Sequence, residues 1–175
     1  TLAMTRTTTA GDKITVEKDS ASIPREYDIQ GRLTRSVVDF TEKDISTNGA
    51  VLNKAYSVET LINSSDYDER GQILKTTRIT TEDNKLSTEV DLENRTYDRL
   101  GRMLTSNIQY NDKDFATNGT VLDSTYSVKS IIASSDYNTL GQLLGMTRIS
   151  MDGDKTTTET DIAPRRYDDK GRLLY

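Results

Sequence analysis

The sequence predicts an all-β fold: a repetitive antiparallel β-hairpin meander of about eleven long strands, built on a 70-residue super-repeat. Three observations carry this reading. Thr and Ser are abundant, as in "TRTTTA", "INSSD" and "KTTTET", and Thr lines pleated surfaces without needing deep burial. Turn signals recur along the whole chain, with no sustained 3.6-residue periodicity between them. One motif, a tyrosine followed by Asp or Asn and, four residues after the tyrosine, a glycine, is written five times.

The motif tyrosines are Tyr27, Tyr67, Tyr97, Tyr137 and Tyr167, so the intervals alternate between 40 and 30 residues. The longer unit shows the duplication best. "KDISTNGAVLNKAYSVETLINSSDYDERGQILKTTRI" from Lys43 is matched 70 residues later by "KDFATNGTVLDSTYSVKSIIASSDYNTLGQLLGMTRI" from Lys113. Repeats of this size stack on their neighbours. Residues 1–36 read as a partial repeat, 37–106 as a full one and 107–175 as a second, nearly full one, in one continuous array. A start without Met and a stop at "GRLLY" lead us to expect a window of a longer array.

The elements follow in order. A first hairpin turns at "AGDK" near Gly11, and Pro24 interrupts the ladder before the first motif. A long strand then runs out to "TNG" at Gly49, a second returns to the motif at Tyr67, and a shorter pair turns at "EDNK" near Asn84 before Tyr97. The next period repeats this through Gly119, Tyr137 and "DGDK" near Gly153, and Pro164 precedes the last motif as Pro24 precedes the first.

Each motif reads as a three-residue hairpin loop whose glycine takes positive φ as a G1 bulge. That sets Tyr27 opposite Leu33, Tyr67 opposite Ile73, Tyr97 opposite Met103, Tyr137 opposite Leu143 and Tyr167 opposite Leu173. The polar pairs are Asp28 with Arg32, Asp98 with Arg102 and Asp168 with Arg172 in one unit. In the other they are Asp68 with Gln72 and Asn138 with Gln142. Gly31, Gly71, Gly101, Gly141 and Gly171 make the bends. The same loop at "TNG" pairs Ser46 with Ala50 and thereby aligns Glu42 with Lys54, Phe40 with Tyr56 and Val38 with Val58. In the next copy it aligns Tyr110 with Tyr126. A one-residue slip would send the apolar set to the wrong face. Apolar residues on both faces imply a sheet coiled into a solenoid, a ribbon or a shell-like form.

Composition narrows the function. Only 33% of residues are hydrophobic and Trp is absent, which favours a thin core. A net charge of −5 with interspersed signs gives no basic stripe for nucleic acid. The chain lacks both Cys and His, which excludes thiol chemistry and removes the commonest general base. No apolar run approaches a membrane span. Acids at Asp152, Asp154 and "TEDNK" suit turns better than a calcium loop, because the copies do not keep the same acids. Asp112, Asp114 and Asn118 read as a solvated strand end. The recurring Ser64, Ser65, Asp66 and Ser134, Ser135, Asp136 have no base to activate a nucleophile. Sequons at Asn63, Asn94 and Asn118 are of the frequency a Ser/Thr-rich chain produces by chance. No enzyme activity, cofactor or metal is expected.

"YDxxGRL" at 27, 97 and 167, with "YDERGQI" and "YNTLGQL", resembles the tyrosine-aspartate repeat of the Rhs/YD-repeat family of bacterial surface and toxin-associated proteins. The resemblance spans almost the whole chain, although family repeats lie about twenty residues apart. It implies a long hairpin array on a secreted or cell-surface protein, in many members a shell around a C-terminal polypeptide. The expected function is a non-enzymatic structural module, a stiff β fibre or sheath segment whose partners are neighbouring repeats or other copies of itself. A shell that encloses a toxin or effector polypeptide, and an adhesin stalk whose tyrosines bind glycans, are the alternatives.

If the loop reading holds, Gly101→Val imposes a β-branched residue on positive φ and disrupts its hairpin. Denaturant unfolding checks this, and unchanged stability would contradict it.

Overall fold

The structure, a computed structural model, describes residues 3–174. Its strands are β1 (Thr5–Ala10), β2 (Lys13–Asp19), β3 (Glu26–Tyr27), β4 (Leu33–Asp44), β5 (Asn53–Leu61), β6 (Thr77–Glu82), β7 (Lys85–Asp91), β8 (Thr96–Tyr97), β9 (Met103–Asp114), β10 (Asp123–Ile131), β11 (Thr147–Asp152) and β12 (Lys155–Thr160). All belong to one antiparallel sheet in the order β1-β2-β4-β5-β6-β7-β9-β10-β11-β12, with the two-residue strands β3 and β8 paired to β4 and β9. The sheet is an open meander, ribbon-like and not closed into a barrel. To the continuous path each period contributes two long and two short strands, because the four turn signals per period cut it that way.

The register follows from packing. Phe40 faces Tyr56 and Val38 faces Val58, as Tyr110 faces Tyr126 and Ile108 faces Val128. The two aromatic pairs stack with ring centroids 4.9 and 5.0 Å apart, which adds to their burial. Charged neighbours reach past the directly opposed residue. Lys54 lies opposite Glu42 yet bonds Glu82 on the next strand at 2.6 Å, while Glu42 takes Lys13 at 2.8 Å.

The core is thin. Among the described residues Val37, Val58, Ile62, Val128 and Ile132 are its buried apolar members, and Val58 and Ile62 recur as Val128 and Ile132 one period on. At 19.6 kDa the chain exposes 11512 Å², against roughly 8,600 Å² for a compact monomer of that mass. The excess is the signature of a sheet without a second layer. With so little apolar surface to bury, order has to come from pairing along the ladder and from polar joints at its rims.

One expectation needs correction. The long strands do not meet in a three-residue loop at "TNG". The ladder stops at Lys43 opposite Asn53, and eight residues, 45–52, form the connection. The alignment is the one that pairing Ser46 with Ala50 implies, because an antiparallel register is conserved as the loop widens symmetrically. The hairpin meander itself is as the sequence predicts: ten strands form the continuous path, and the two-residue strands beside the motifs bring the sheet to twelve.

Both terminal strands, β1 and β12, are exposed along their whole length, whereas their equivalents β6 and β7 are mostly half-buried. Amide hydrogen exchange should therefore be slowest in β4, β5, β9 and β10 and fastest in β1 and β12. Uniform protection across the sheet would contradict the open ribbon.

Candidate functional site

Five motif hairpins line one rim of the sheet. In each, the chain makes the same tight bend. Asp28 N–H donates to the Arg32 carbonyl at 2.9 Å, and Gly31 N–H donates to the Asp28 carbonyl at 3.0 Å. The Asp28 carboxylate accepts the backbone N–H groups of Gln30 and Arg32, both at 2.9 Å. Asp68, Asp98, Asn138 and Asp168 do the same in their own loops. The cross-pairs are those the loop reading sets: Tyr27 with Leu33, Tyr67 with Ile73, Tyr97 with Met103, Tyr137 with Leu143 and Tyr167 with Leu173. The motif glycines hold φ between 75 and 82°.

The tyrosine hydroxyl reaches further than its own hairpin. Tyr67 donates to the Leu33 carbonyl at 2.5 Å, Tyr97 to Ile73 at 2.5 Å, Tyr137 to Met103 at 2.6 Å and Tyr167 to Leu143 at 2.6 Å. Each acceptor is the residue opposite the tyrosine of the preceding motif. The five hairpins are thus joined head to tail by four O–H···O bonds, spanning alternately 34 and 24 residues of sequence.

The alternation of Arg and Gln now has a packing reason. Arg32 pairs with Asp28 at 2.6 Å and lays its guanidinium 4.6 Å over the ring of Tyr67. It also donates to the Ser64 carbonyl at 2.9 Å. Arg102 repeats this with Asp98, Tyr137 and Ser134. The planar guanidinium suits a site that asks for both a carboxylate partner and a ring to cover. At the other joint a glutamine packs against the glycine of the following motif instead. A Cβ at Gly101 would lie 3.0 Å from Gln72 Nε2, and one at Gly171 would lie 3.2 Å from Gln142 Nε2, so the shorter glutamine lies against the next bend.

Burial of the Asp28 carboxylate works against its charge. The N–H and guanidinium of Arg32 and the N–H of Gln30 more than offset that, holding the carboxyl below its usual range. Asp98 is held the same way by Arg102 and Leu100 N–H. Burial raises the Tyr67 and Tyr137 phenols, which keeps both hydroxyls protonated as donors.

Two further joints were not expected. Asp114, which reads in the sequence as part of a solvated strand end, heads the loop 115–122. Its carboxylate accepts the Thr117 hydroxyl, Thr117 N–H at 2.8 Å, Val121 N–H at 3.1 Å and Leu122 N–H at 2.9 Å. Asp44 makes the same set with Thr47, Val51 and Leu52. The Thr47 hydroxyl, Leu52 N–H and the other backbone donors hold Asp44 well below the usual carboxylate range despite its burial. For Asp114 the Thr117 hydroxyl leads, and the carboxyl is lowered to about 2.

The second is a clasp at the motif rim. Asp19, Asp91 and Asp161 pair with Arg25, Arg95 and Arg165 at 2.7, 2.8 and 2.9 Å. Each acid also accepts a backbone N–H from the residue just before the strand alongside, Met4, Thr76 and Met146 respectively. A sequence signal for it exists: the arginine stands two residues before the tyrosine in the 27, 97 and 167 motifs and nowhere else among the five. Pro24 and Pro164 fall in the segments that cross this clasp, outside the ladder.

Ser64–Asp66 and Ser134–Asp136 form single 3-10 turns whose first carbonyls receive the arginines. Among the described residues no three or more acidic side chains come together as a metal site, and no helix is long and apolar enough to cross a membrane. Fold and rim together define an open, single-sheet β-repeat array. No family model, curated protein or solved structure matches the chain.

Tyr97→Phe removes one rung and should cost about 0.5–1.5 kcal/mol in denaturant unfolding. Tyr27→Phe, which removes none of the four rungs, should cost less. Equal costs would contradict the ladder. A carboxyl lowered in the folded state contributes stability that is complete above its unfolded value and lost as pH falls through its folded value. The Leu122 amide shift should therefore titrate near pH 2 with Asp114 rather than at the ordinary 3.8. A midpoint at the ordinary value would contradict the four-donor loop.

Proposed function

We propose that this chain is a non-enzymatic structural repeat module, a segment of a stiff β-sheet fibre or sheath belonging to a large extracellular or cell-surface protein. The observation that carries the reading is the hydroxyl ladder. It ties each repeat to the one before it through an identical joint, so the array lengthens by adding units rather than by enlarging a core. The commitment of the recurring polar groups to backbone and to one another supports a structural use. Asp28, Asp44 and Asp98 face donors in their own loops, and the tyrosines face carbonyls. Five in-phase tyrosine-aspartate motifs support kinship with the Rhs/YD-repeat proteins and, through it, the surface location.

The partners on this reading are neighbouring repeats and other copies of the chain. The exposed backbone of β1 and β12 supplies unpaired donors and acceptors for them. Electron microscopy of the purified protein and of the native assembly tests the proposal. Extended ribbons or filaments are expected. Closed hollow particles would contradict the fibre and favour a shell around a polypeptide cargo.

A further inference from the structure

Two Asn-Gly pairs, Asn48-Gly49 and Asn118-Gly119, occupy the loops headed by Asp44 and Asp114. In an unstructured chain this pair is chemically labile. The glycine nitrogen gives up its proton and attacks the asparagine Cγ, the new N–Cγ bond closes a succinimide ring, and the Cγ–Nδ2 bond breaks to release ammonia. Water then opens the ring to aspartate or to isoaspartate, so the net exchange is one water taken up for one ammonia lost. Glycine makes the attack fast because it carries no side chain to shield the nitrogen.

In both loops that nitrogen is occupied. Gly49 N–H donates to the Asp44 backbone carbonyl at 3.1 Å, and Gly119 N–H donates to that of Asp114 at 2.7 Å. The asparagines themselves are fixed in the left-handed region, each at φ 53°. The far limb of each loop is held by the same aspartate through its side chain, which accepts Leu52 N–H at 2.7 Å or Leu122 N–H at 2.9 Å. Asn48 and Asn118 are exposed, so water and hydroxide reach them freely. Protection has to come from conformation.

We propose that Asn48 and Asn118 are latent deamidation sites, each kept closed by the aspartate that heads its own loop. Reaction requires the glycine nitrogen to leave the aspartate carbonyl and swing towards Cγ, which the closed loop forbids. The product cannot simply return to the starting form. It places a second negative charge in a loop organised around a carboxylate, and the isoaspartate route adds a methylene to a backbone held at positive φ. Each loop therefore registers its own opening, once, and independently of the other repeat. This holds whether or not the chain forms a fibre.

The test is peptide mapping of the full chain after long incubation in mildly alkaline buffer, with aspartate and isoaspartate counted at each position. Synthetic peptides of residues 44–52 and 114–122 give the unprotected rate. The native chain should deamidate at both sites at least about tenfold more slowly than the peptides, as local opening limits the reaction. Asp44→Ala should bring Asn48 close to its peptide's rate and leave Asn118 slow, and Asp114→Ala should do the reverse. Thr47→Val keeps the acid and removes one of its bonds, and should give a smaller increase still confined to Asn48. Native rates equal to the peptides' would overturn the proposal. So would equal acceleration at both asparagines in all three variants, which would mark general unfolding rather than a loop latch.

Discussion

A phenol donating to a main-chain carbonyl one motif away is the constraint on which this structure depends. A single-layer sheet with five buried apolar residues among those described has little hydrophobic drive to hold its repeats in line. The four tyrosine hydroxyls supply the missing connection. Each one fixes the distance between successive hairpins, and with it the position of the strands they lead into. The acceptor is a carbonyl, so it survives any change of side chain at Leu33, Ile73, Met103 or Leu143. The donor does not, which accounts for a motif that keeps its tyrosine while the residues at the tip of the bend vary from Ile-Gln to Asp-Lys.

The remaining joints share one economy: a carboxylate accepts several backbone donors and so substitutes for packing. Asp28 and its equivalents close the bends, Asp44 and Asp114 close the opposite rim, and Asp19, Asp91 and Asp161 tie neighbouring strands across the clasp. Charge-assisted bonds of this kind are stronger than neutral ones. They keep their orientation at a solvated rim where an apolar contact would contribute little. The Asn-Gly tips show the same device protecting covalent bonds as well as conformation.

Much of the fold is legible in the sequence, because strand pairing has a period of two and the turns mark where it reverses. Phe40 against Tyr56 and Tyr27 against Leu33 follow from counting outward from a bend. The "TNG" connection shows the limit of that method: counting gives the alignment of the strands but not where the ladder stops, which Asp44 decides by gathering donors up to eight residues ahead. The rungs were hidden for a different reason. A hydroxyl that bonds a backbone carbonyl 24 or 34 residues away leaves no complementary side chain to find. In the sequence, pairing with an aliphatic residue is use enough for each tyrosine, and the second bond has no separate mark. The Asp–Arg clasp did leave a mark, an arginine two residues before alternate tyrosines, and its acid six or eight residues before the tyrosine falls outside any local motif.

The protons of the rung hydroxyls report directly on the ladder. In nuclear magnetic resonance spectra of the folded chain in water, the hydroxyl protons of Tyr67, Tyr97, Tyr137 and Tyr167 should exchange slowly enough to be seen. Each should show a contact to the α-proton of its acceptor residue, Leu33, Ile73, Met103 and Leu143 in turn. Hydroxyl protons at these four tyrosines that exchange with solvent as fast as that of an exposed phenol would contradict the ladder, and the account of how the repeats are joined would fall with it.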